Sequence, residues 1–341
     1  MKKNKPTKKP VAITMGDPAG VGPEIIVKAL QKLIPDRKTT QNPQLIVADP
    51  GIMEKAVNRF AGTGFKKMFR DAPVFEKPEQ VENPAPPLAL YSVGRLDPER
   101  MRPGRPGGKE GRAAALCLEA ALELVQKKIC RALVTAPVAK AALAAAGFNH
   151  PGHTGWLAQK TDSRVLMMIA AGKFRVVPLT GHVPLERVPG LISASLLASA
   201  LELLDQELKK WFRIKRPRIA VAGLNPHAGE QGTLGEEEIE IIAPAIAAGR
   251  KKGIEISGPF PADTLFTPER RRTYDAALCM FHDQALIPIK TLGMNRAVNL
   301  TLGLPFVRTS PAHGTAPDIA WQGTADPESM IRAIKLAGQR S

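Results

Sequence analysis

Short aliphatic or β-branched runs alternate with longer Ala-, Leu- and Glu-rich stretches along most of the 341 residues. That alternation marks a parallel sheet covered by helices. Strands are predicted at Val11 to Met15, Gln44 to Ala48, Arg131 to Thr135, Arg175 to Leu179, Arg218 to Ala222 and Ala276 to Phe281. Helices are predicted at Pro23 to Lys32, Gly111 to Lys128, Leu191 to Lys209 and Glu236 to Lys251. The segment 111 to 128 repeats its apolar residues at three- and four-residue spacing, the period of a helix with one buried face. The chain is longer than most single domains, so an α/β fold of two lobes is expected. The Pro-rich stretch Ala72 to Pro87 and the Gly/Pro-rich stretch Arg102 to Gly111 read as connections without regular structure, one of them a lobe boundary. The second precedes a helix, and its amides either cradle a phosphate or belong to an exposed loop.

Charge narrows the function classes. Lys and Arg number 48 against 32 Asp and Glu, a formal net charge of +16. Lysines 2, 3, 5, 8 and 9 fall in the N-terminal stretch, and others fall in short solvated runs such as Lys209-Lys210. Aromatic residues make up only 5%, leaving little for base stacking, so nucleic acid is not the expected partner. The surplus instead steers small anions inward. No apolar run approaches the roughly 18 residues of a membrane span, so a soluble protein without membrane contact is expected. VAITM, after MKKNKPTKKP, is too short for a signal peptide, which predicts a disordered basic tail at 1–10 on a cytoplasmic protein. Cys117, Cys130 and Cys279 lack metal-site or disulfide spacing and read as buried, reduced thiols.

Three of the six histidines follow a predicted strand closely: His182 in PLTGH, His227 in GLNPH and His282 in MFHDQ. Ligands of open α/β sheets bind outside the carboxyl ends of strands, so these loops are expected to converge. Three imidazoles with an open position make a catalytic rather than a structural metal site. Asp283 either orients a ligand from behind or caps a helix.

These residues belong to a longer series: ITMGDPAGVGPE (13–24), VTAPVAK (134–140), PGHT (151–154), GHVPL (181–185), GLNPHAGE (223–230), GPFPADTLF (258–266), FHDQALIPIK (281–290) and NLTLGLPFVRTSPAHGTAPDIA (299–320). The series resembles the 4-hydroxythreonine-4-phosphate dehydrogenases of pyridoxal phosphate biosynthesis. The resemblance implies two α/β/α lobes like those of isocitrate and isopropylmalate dehydrogenases, with a cleft between them: 11–140 plus 310–341, and 141–309. It implies a homodimer whose active site draws on both subunits. It places the metal on His182, His227 and His282, and a small phosphorylated hydroxy acid on His153, Thr154, Lys290, Asn299 and Arg308. Gly155, Gly181 and Pro317 depart from the usual pattern, where relatives carry an acidic residue, Thr and Phe.

The implied chemistry is NAD- or NADP-dependent oxidation of 4-phosphooxy-L-threonine to the 3-oxo acid, then decarboxylation, assisted by one divalent ion (zinc, cobalt or magnesium). Asp263, Asp283 and Lys290 are the candidates to relay protons; Asp263 reads equally well as a loop or capping residue. No GxGxxG follows the first strand, and Gly16, Gly20 and Gly22 also read as a tight turn into a helix with Pro23 at its first position. The loop carrying Gly229, Gly232 and Gly235 opens an acidic helix, and either accepts part of the dinucleotide or is an ordinary helix entry. The alternatives are the same chemistry on erythronate or threonate 4-phosphate or an aromatic dihydrodiol, a metal-dependent phosphohydrolase, and a non-catalytic sugar-phosphate binder.

Overall fold

The structure is a computed structural model, and it describes residues 9–34, 42–81, 85–148, 152–293 and 296–340. The expected basic tail lies outside the described residues apart from its last two positions. In chain order the elements are β1 (Val11–Thr14), α1 (Gly22–Leu33), β2 (Gln44–Ala48), α2 (Pro50–Phe60), α3 (Thr63–Arg70), β3 (Val74–Phe75), β4 (Leu88–Ser92), α4 (Gly108–Gln126), β5 (Ala132–Thr135), α5 (Lys140–Ala145) and α6 (His153–Lys160). They continue with β6 (Leu166–Ala171), β7 (Phe174–Pro178), α7 (Val188–Leu191), α8 (Ala194–Phe212), β8 (Arg218–Ala222), α9 (Ala243–Lys251), β9 (Glu255–Phe260), α10 (Ala262–Leu265), β10 (Ala276–Cys279), α11 (His282–Gly293), β11 (Val298–Leu302), β12 (Val307–Pro311) and α12 (Glu328–Arg340).

The chain divides into two compact units, residues 1–163 with 304–341, and residues 164–303. The first unit takes in 141–163 and 304–309, which lobes drawn at 140 and 310 assign elsewhere. The reason is local: α5 packs along α4, and β12 pairs with β5.

In the first unit the strands run β3-β4-β2-β1-β5-β12, all parallel. Every residue of β1, β2 and β5 is buried, as expected where helices cover both faces of a parallel sheet. α4 packs on β1, β2 and β5, and α12 on β1, β5 and β12. Gly111 lets α4 meet α5, since a Cβ there would lie 1.9 Å from the Ala142 carbonyl oxygen. Gly111→Ala must push the helices apart. Overpacking of about 1–3 kcal/mol is expected to lower the melting temperature by roughly 2–12 °C, read by circular dichroism.

In the second unit the order is β11-β6-β7-β10-β8-β9. β11, β6 and β7 pair antiparallel, while β7, β10, β8 and β9 run parallel. The four parallel strands send their carboxyl ends the same way. Hydrogen bonds beyond the strands hold those ends together: Leu179 N–H donates to the Cys279 carbonyl at 2.7 Å, Thr180 Oγ1 to the Met280 carbonyl at 2.8 Å and Gly223 N–H to the Phe260 carbonyl at 2.8 Å.

Two sequence expectations need correction. Residues 72–87 are not wholly irregular, because Val74 and Phe75 form β3 against β4, followed by a short 3-10 turn at Pro78–Gln80. Helix α4 begins at Gly108, inside the expected loop, where the Glu110 carboxylate accepts the Gly107 N–H at 3.0 Å and caps it. Among the described residues no single helix is long and apolar enough to cross a membrane. The three cysteines are free and buried. Burial pushes the thiols of Cys117 and Cys130 up to about 12 and that of Cys279 higher still, so none forms a thiolate readily.

Candidate active site

In the second unit each histidine of the proposed triad follows the carboxyl end of a parallel strand: His182 after β7, His282 after β10, His227 after β8. Those strands are neighbours in the order β7-β10-β8, and Asp263 follows the next one, β9. Four chemistry-bearing residues from separate stretches of chain thus line one end of the unit. The rings of His182 and His282 lie 5.1 Å apart, centroid to centroid. Asp283 Oδ1 stands 2.7 Å from His282 Nδ1. A carboxylate only accepts, so Nδ1 carries the proton and Nε2 keeps its lone pair for a ligand bond. Asp283 lies inside the first turn of α11, and its carboxylate holds the imidazole.

This donor set fits a divalent ion of the zinc type: imidazoles at strand ends, one of them held at Nδ1 by a carboxylate. Among the described residues no group of three His, Cys, Asp or Glu side chains is set to hold a metal ion. Lys290 is exposed, eight residues beyond His282 on α11 and so about 12 Å along the helix. Asp263 is exposed in the first turn of α10. Asn299, on β11, has its Oδ1 buried without a hydrogen-bond partner among the described residues, an acceptor ready for a donor.

Sequence reasoning passed over Gln284, which staples the strand ends together. Its Oε1 accepts the Met280 N–H at 2.7 Å and its Nε2 donates to the Gly223 carbonyl at 2.8 Å, tying the entry of α11 to the end of β8. Its position two residues after a strand-end histidine was the available signal.

The glycines proposed for the dinucleotide serve the backbone. Gly229 and Gly235 have φ of +81° and +129°, and a Cβ would lie 2.7 Å from Glu238 Oε2 in the first and 2.4 Å from Asn225 Nδ2 in the second. Gly232 (φ +96°) has Ile239 Cδ1 at 3.4 Å. The turn Gly16 to Gly22 is likewise packed by its own chain, with the Pro137 carbonyl oxygen 2.4 Å from a Cβ at Gly16 and the Met15 carbonyl oxygen 2.4 Å from one at Gly22.

The first unit carries the anion-binding group. Arg308, on β12, is 3% exposed. Its Nη2 donates to Thr135 Oγ1 at 2.5 Å and faces His153 Nδ1 at 3.3 Å, and its Nη1 reaches Thr154 Oγ1 at 3.5 Å. Thr135, fully buried at the end of β5, was absent from the sequence-based site, although it lies in the VTAPVAK motif. Burial pushes the guanidinium down to about 10. An incoming anion relieves that cost.

Burial, then the charge of Arg308, pushes the His153 imidazole down to about 3. It is therefore neutral at working pH, with Nδ1 accepting from Arg308 and Nε2–H left to donate. In the unfolded chain the same ring protonates near 6.5. This contribution to stability is therefore complete above about 6.5 and is lost as pH falls from 6.5 toward 3. His153→Gln is expected to make the urea midpoint less steep with pH across that window. An unchanged slope contradicts the assignment.

A family profile described as "Pyridoxal phosphate biosynthetic protein PdxA" matches residues 40–337. A 4-hydroxythreonine-4-phosphate dehydrogenase of Desulforapulum autotrophicum is 43% identical over 328 residues, covering 96% of this chain and 94% of its own. One of Caulobacter vibrioides is 44% identical over 341 residues, covering 98% of each chain. The crystal structure of the Klebsiella pneumoniae 4-hydroxythreonine-4-phosphate dehydrogenase superposes with a TM-score of 0.82 at 38% identity, over 97% of this chain and 98% of that one. With strand-end histidines and a buried arginine on the same α/β frame, the chain belongs to the PdxA family.

Proposed function

We propose that this chain catalyses the NAD-dependent oxidation of 4-phosphooxy-L-threonine to the 3-oxo acid, with decarboxylation following. Arg308 is the observation that carries the reading: a buried guanidinium set among Thr135, Thr154 and His153 has the fork geometry that binds a phosphate or carboxylate. Thr135 and His153 fix the plane of its fork, and Thr154 and the neutral His153 ring add direction. In the second unit Asn299 offers its buried Oδ1 to the substrate's ammonium or hydroxyl, and Lys290 adds a positive charge for a second anionic group. His182, His227 and His282 hold the divalent ion, zinc, cobalt or magnesium, and Asp283 fixes the His282 ring. When bound, the ion acts as a Lewis acid that lowers the pKa of the substrate hydroxyl and steadies negative charge on that oxygen. Asp263, Asp283 and Lys290 are the candidates to take the hydroxyl proton as hydride leaves the same carbon for the nicotinamide, and to return a proton after carbon dioxide is lost. Gly229, Gly232 and Gly235 mark a proposed contact for part of the dinucleotide.

We also propose a homodimer that shares the metal site. Apart from Val74, the large hydrophobic residues standing exposed among the described residues are Val183, Leu185, Leu191, Leu234, Ile239, Ile287 and Leu292, and each lies within twelve residues downstream of His182, His227 or His282. Exposed apolar residues following each of the three histidines suit contact with a second copy of the chain. Light scattering is expected to give twice the chain mass, and Leu185→Glu with Ile287→Glu to give a monomer that no longer retains Co²⁺. A monomeric wild type with full metal affinity overturns this. The reaction is tested by following NADH absorbance with 4-hydroxythreonine-4-phosphate, erythronate 4-phosphate, threonate 4-phosphate and a dihydrodiol. Phosphate release without NADH formation instead marks a phosphohydrolase.

A further inference from the structure

Residues 227–231 are wound left-handed, with φ of +52°, +53°, +81°, +43° and +56°. Four of the five are not glycine, and each such residue costs roughly 1–2 kcal/mol. Five in succession persist only where the surroundings over-determine them. The turn's backbone bonds run from Ala228 N–H to the Asn225 carbonyl at 3.1 Å, Thr233 N–H to the Glu230 carbonyl at 3.2 Å and Leu234 N–H to the Gly229 carbonyl at 3.0 Å.

The remaining grip comes from Glu238, which is 3% exposed. Its Oε1 accepts the backbone N–H groups of Leu224 at 2.6 Å and Asn225 at 2.8 Å, and its Oε2 accepts Asn225 Nδ2 at 2.9 Å. The same carboxylate lies where a Cβ on Gly223 or Gly229 would go, at 2.9 and 2.7 Å. One buried side chain thus holds the residues entering the turn and touches its middle. Glu237 adds a second bond to Asn225 Nδ2 at 2.7 Å. Glu238 also opens a π-helical turn, Glu238–Ile242, a wider winding found often at functional sites.

We propose that Glu238 is a positioning residue for His227: its buried carboxylate sets the left-handed turn and through it the direction in which the imidazole is presented to the metal ion. The proposal rests on the reading of His227 as a ligand. Glu238 itself meets neither metal nor substrate. Removing an outer partner of a metal ligand typically weakens metal affinity 10- to 100-fold.

The test is titration of the full-length chain with Co²⁺, reading affinity by calorimetry and coordination by the visible d–d absorption, with circular dichroism to establish folding. Glu238→Ala is expected to bind Co²⁺ about 10- to 100-fold more weakly with an altered d–d band. Glu238→Gln keeps an acceptor for the two backbone N–H groups but turns an amide on Asn225 Nδ2, so it is expected to fall between Ala and wild type. Wild-type affinity and spectrum in Glu238→Ala overturn the proposal. If that variant does not fold, the same result in Glu238→Gln overturns it. His227→Ala separates the two layers: unchanged Co²⁺ binding there removes the ligand reading itself. Lost binding in His227→Ala with normal binding in the Glu238 variants removes only the positioning role.

Discussion

Arg308→Ala is expected to lower kcat/KM for the phosphorylated substrate by about 30- to 4000-fold, corresponding to the roughly 2–5 kcal/mol lost when one partner of a buried, hydrogen-bonded charge pair is truncated. The loss should not be an unfolding effect. The guanidinium is almost fully buried beside Thr135, Thr154 and His153, and a variant that still folds while losing kcat/KM separates a lost anion contact from a loss of stability. Arg308→Lys should recover little, because an ammonium cannot serve two threonines, an imidazole and an anion from one planar fork. Steady-state kinetics with thermal melts checks this. A wild-type KM in Arg308→Ala removes the anion role.

His282→Ala, or chelation of the wild type, is expected to lower NADH formation by about a thousandfold or more, because Lewis-acid stabilisation of a developing alkoxide supplies several kcal/mol. Asp283→Asn should lose less, about 10- to 100-fold in metal affinity, since it leaves the imidazole in place but weakens the group that fixes its tautomer. Adding Co²⁺ or Zn²⁺ after chelation should restore the wild type and, at higher concentration, Asp283→Asn, but not His282→Ala. NADH formation that survives complete chelation contradicts the metal role.

The strands legible in the sequence are those whose surroundings are uniform. β1, β2, β5, β8 and β10 have parallel neighbours on both sides and β7 on one, and their continuous apolar runs announce this. β12 was hidden because VRTSP reads as polar, yet all five residues are buried. Two of its polar side chains bond inside the fold: Arg308 donates to Thr135, and Thr309 Oγ1 to the Ala333 carbonyl at 2.9 Å. β9 was hidden by Gly258-Pro259 within it, and α11 by Pro288 inside a helix that packing on β10 and β7 nevertheless holds. Helix α12, with Met330, Ile331, Ala333, Ile334 and Ala337 buried, carried a readable period.

By itself the sequence determined the α/β class, the strand-end placement of His182, His227 and His282, and the motif series that marks the family, because each is written in local order along the chain. Only the tertiary structure decided which groups meet. Arg308 reaches Thr135 across 173 residues because β5 and β12 are paired, and Glu238 holds Leu224 and Asn225 from 14 and 13 residues away because its buried carboxylate folds back against the turn. Desolvation sets the charge state of His153 and the cost of burying Arg308. Burial is a property of the packed whole, so neither can be read from neighbours in sequence.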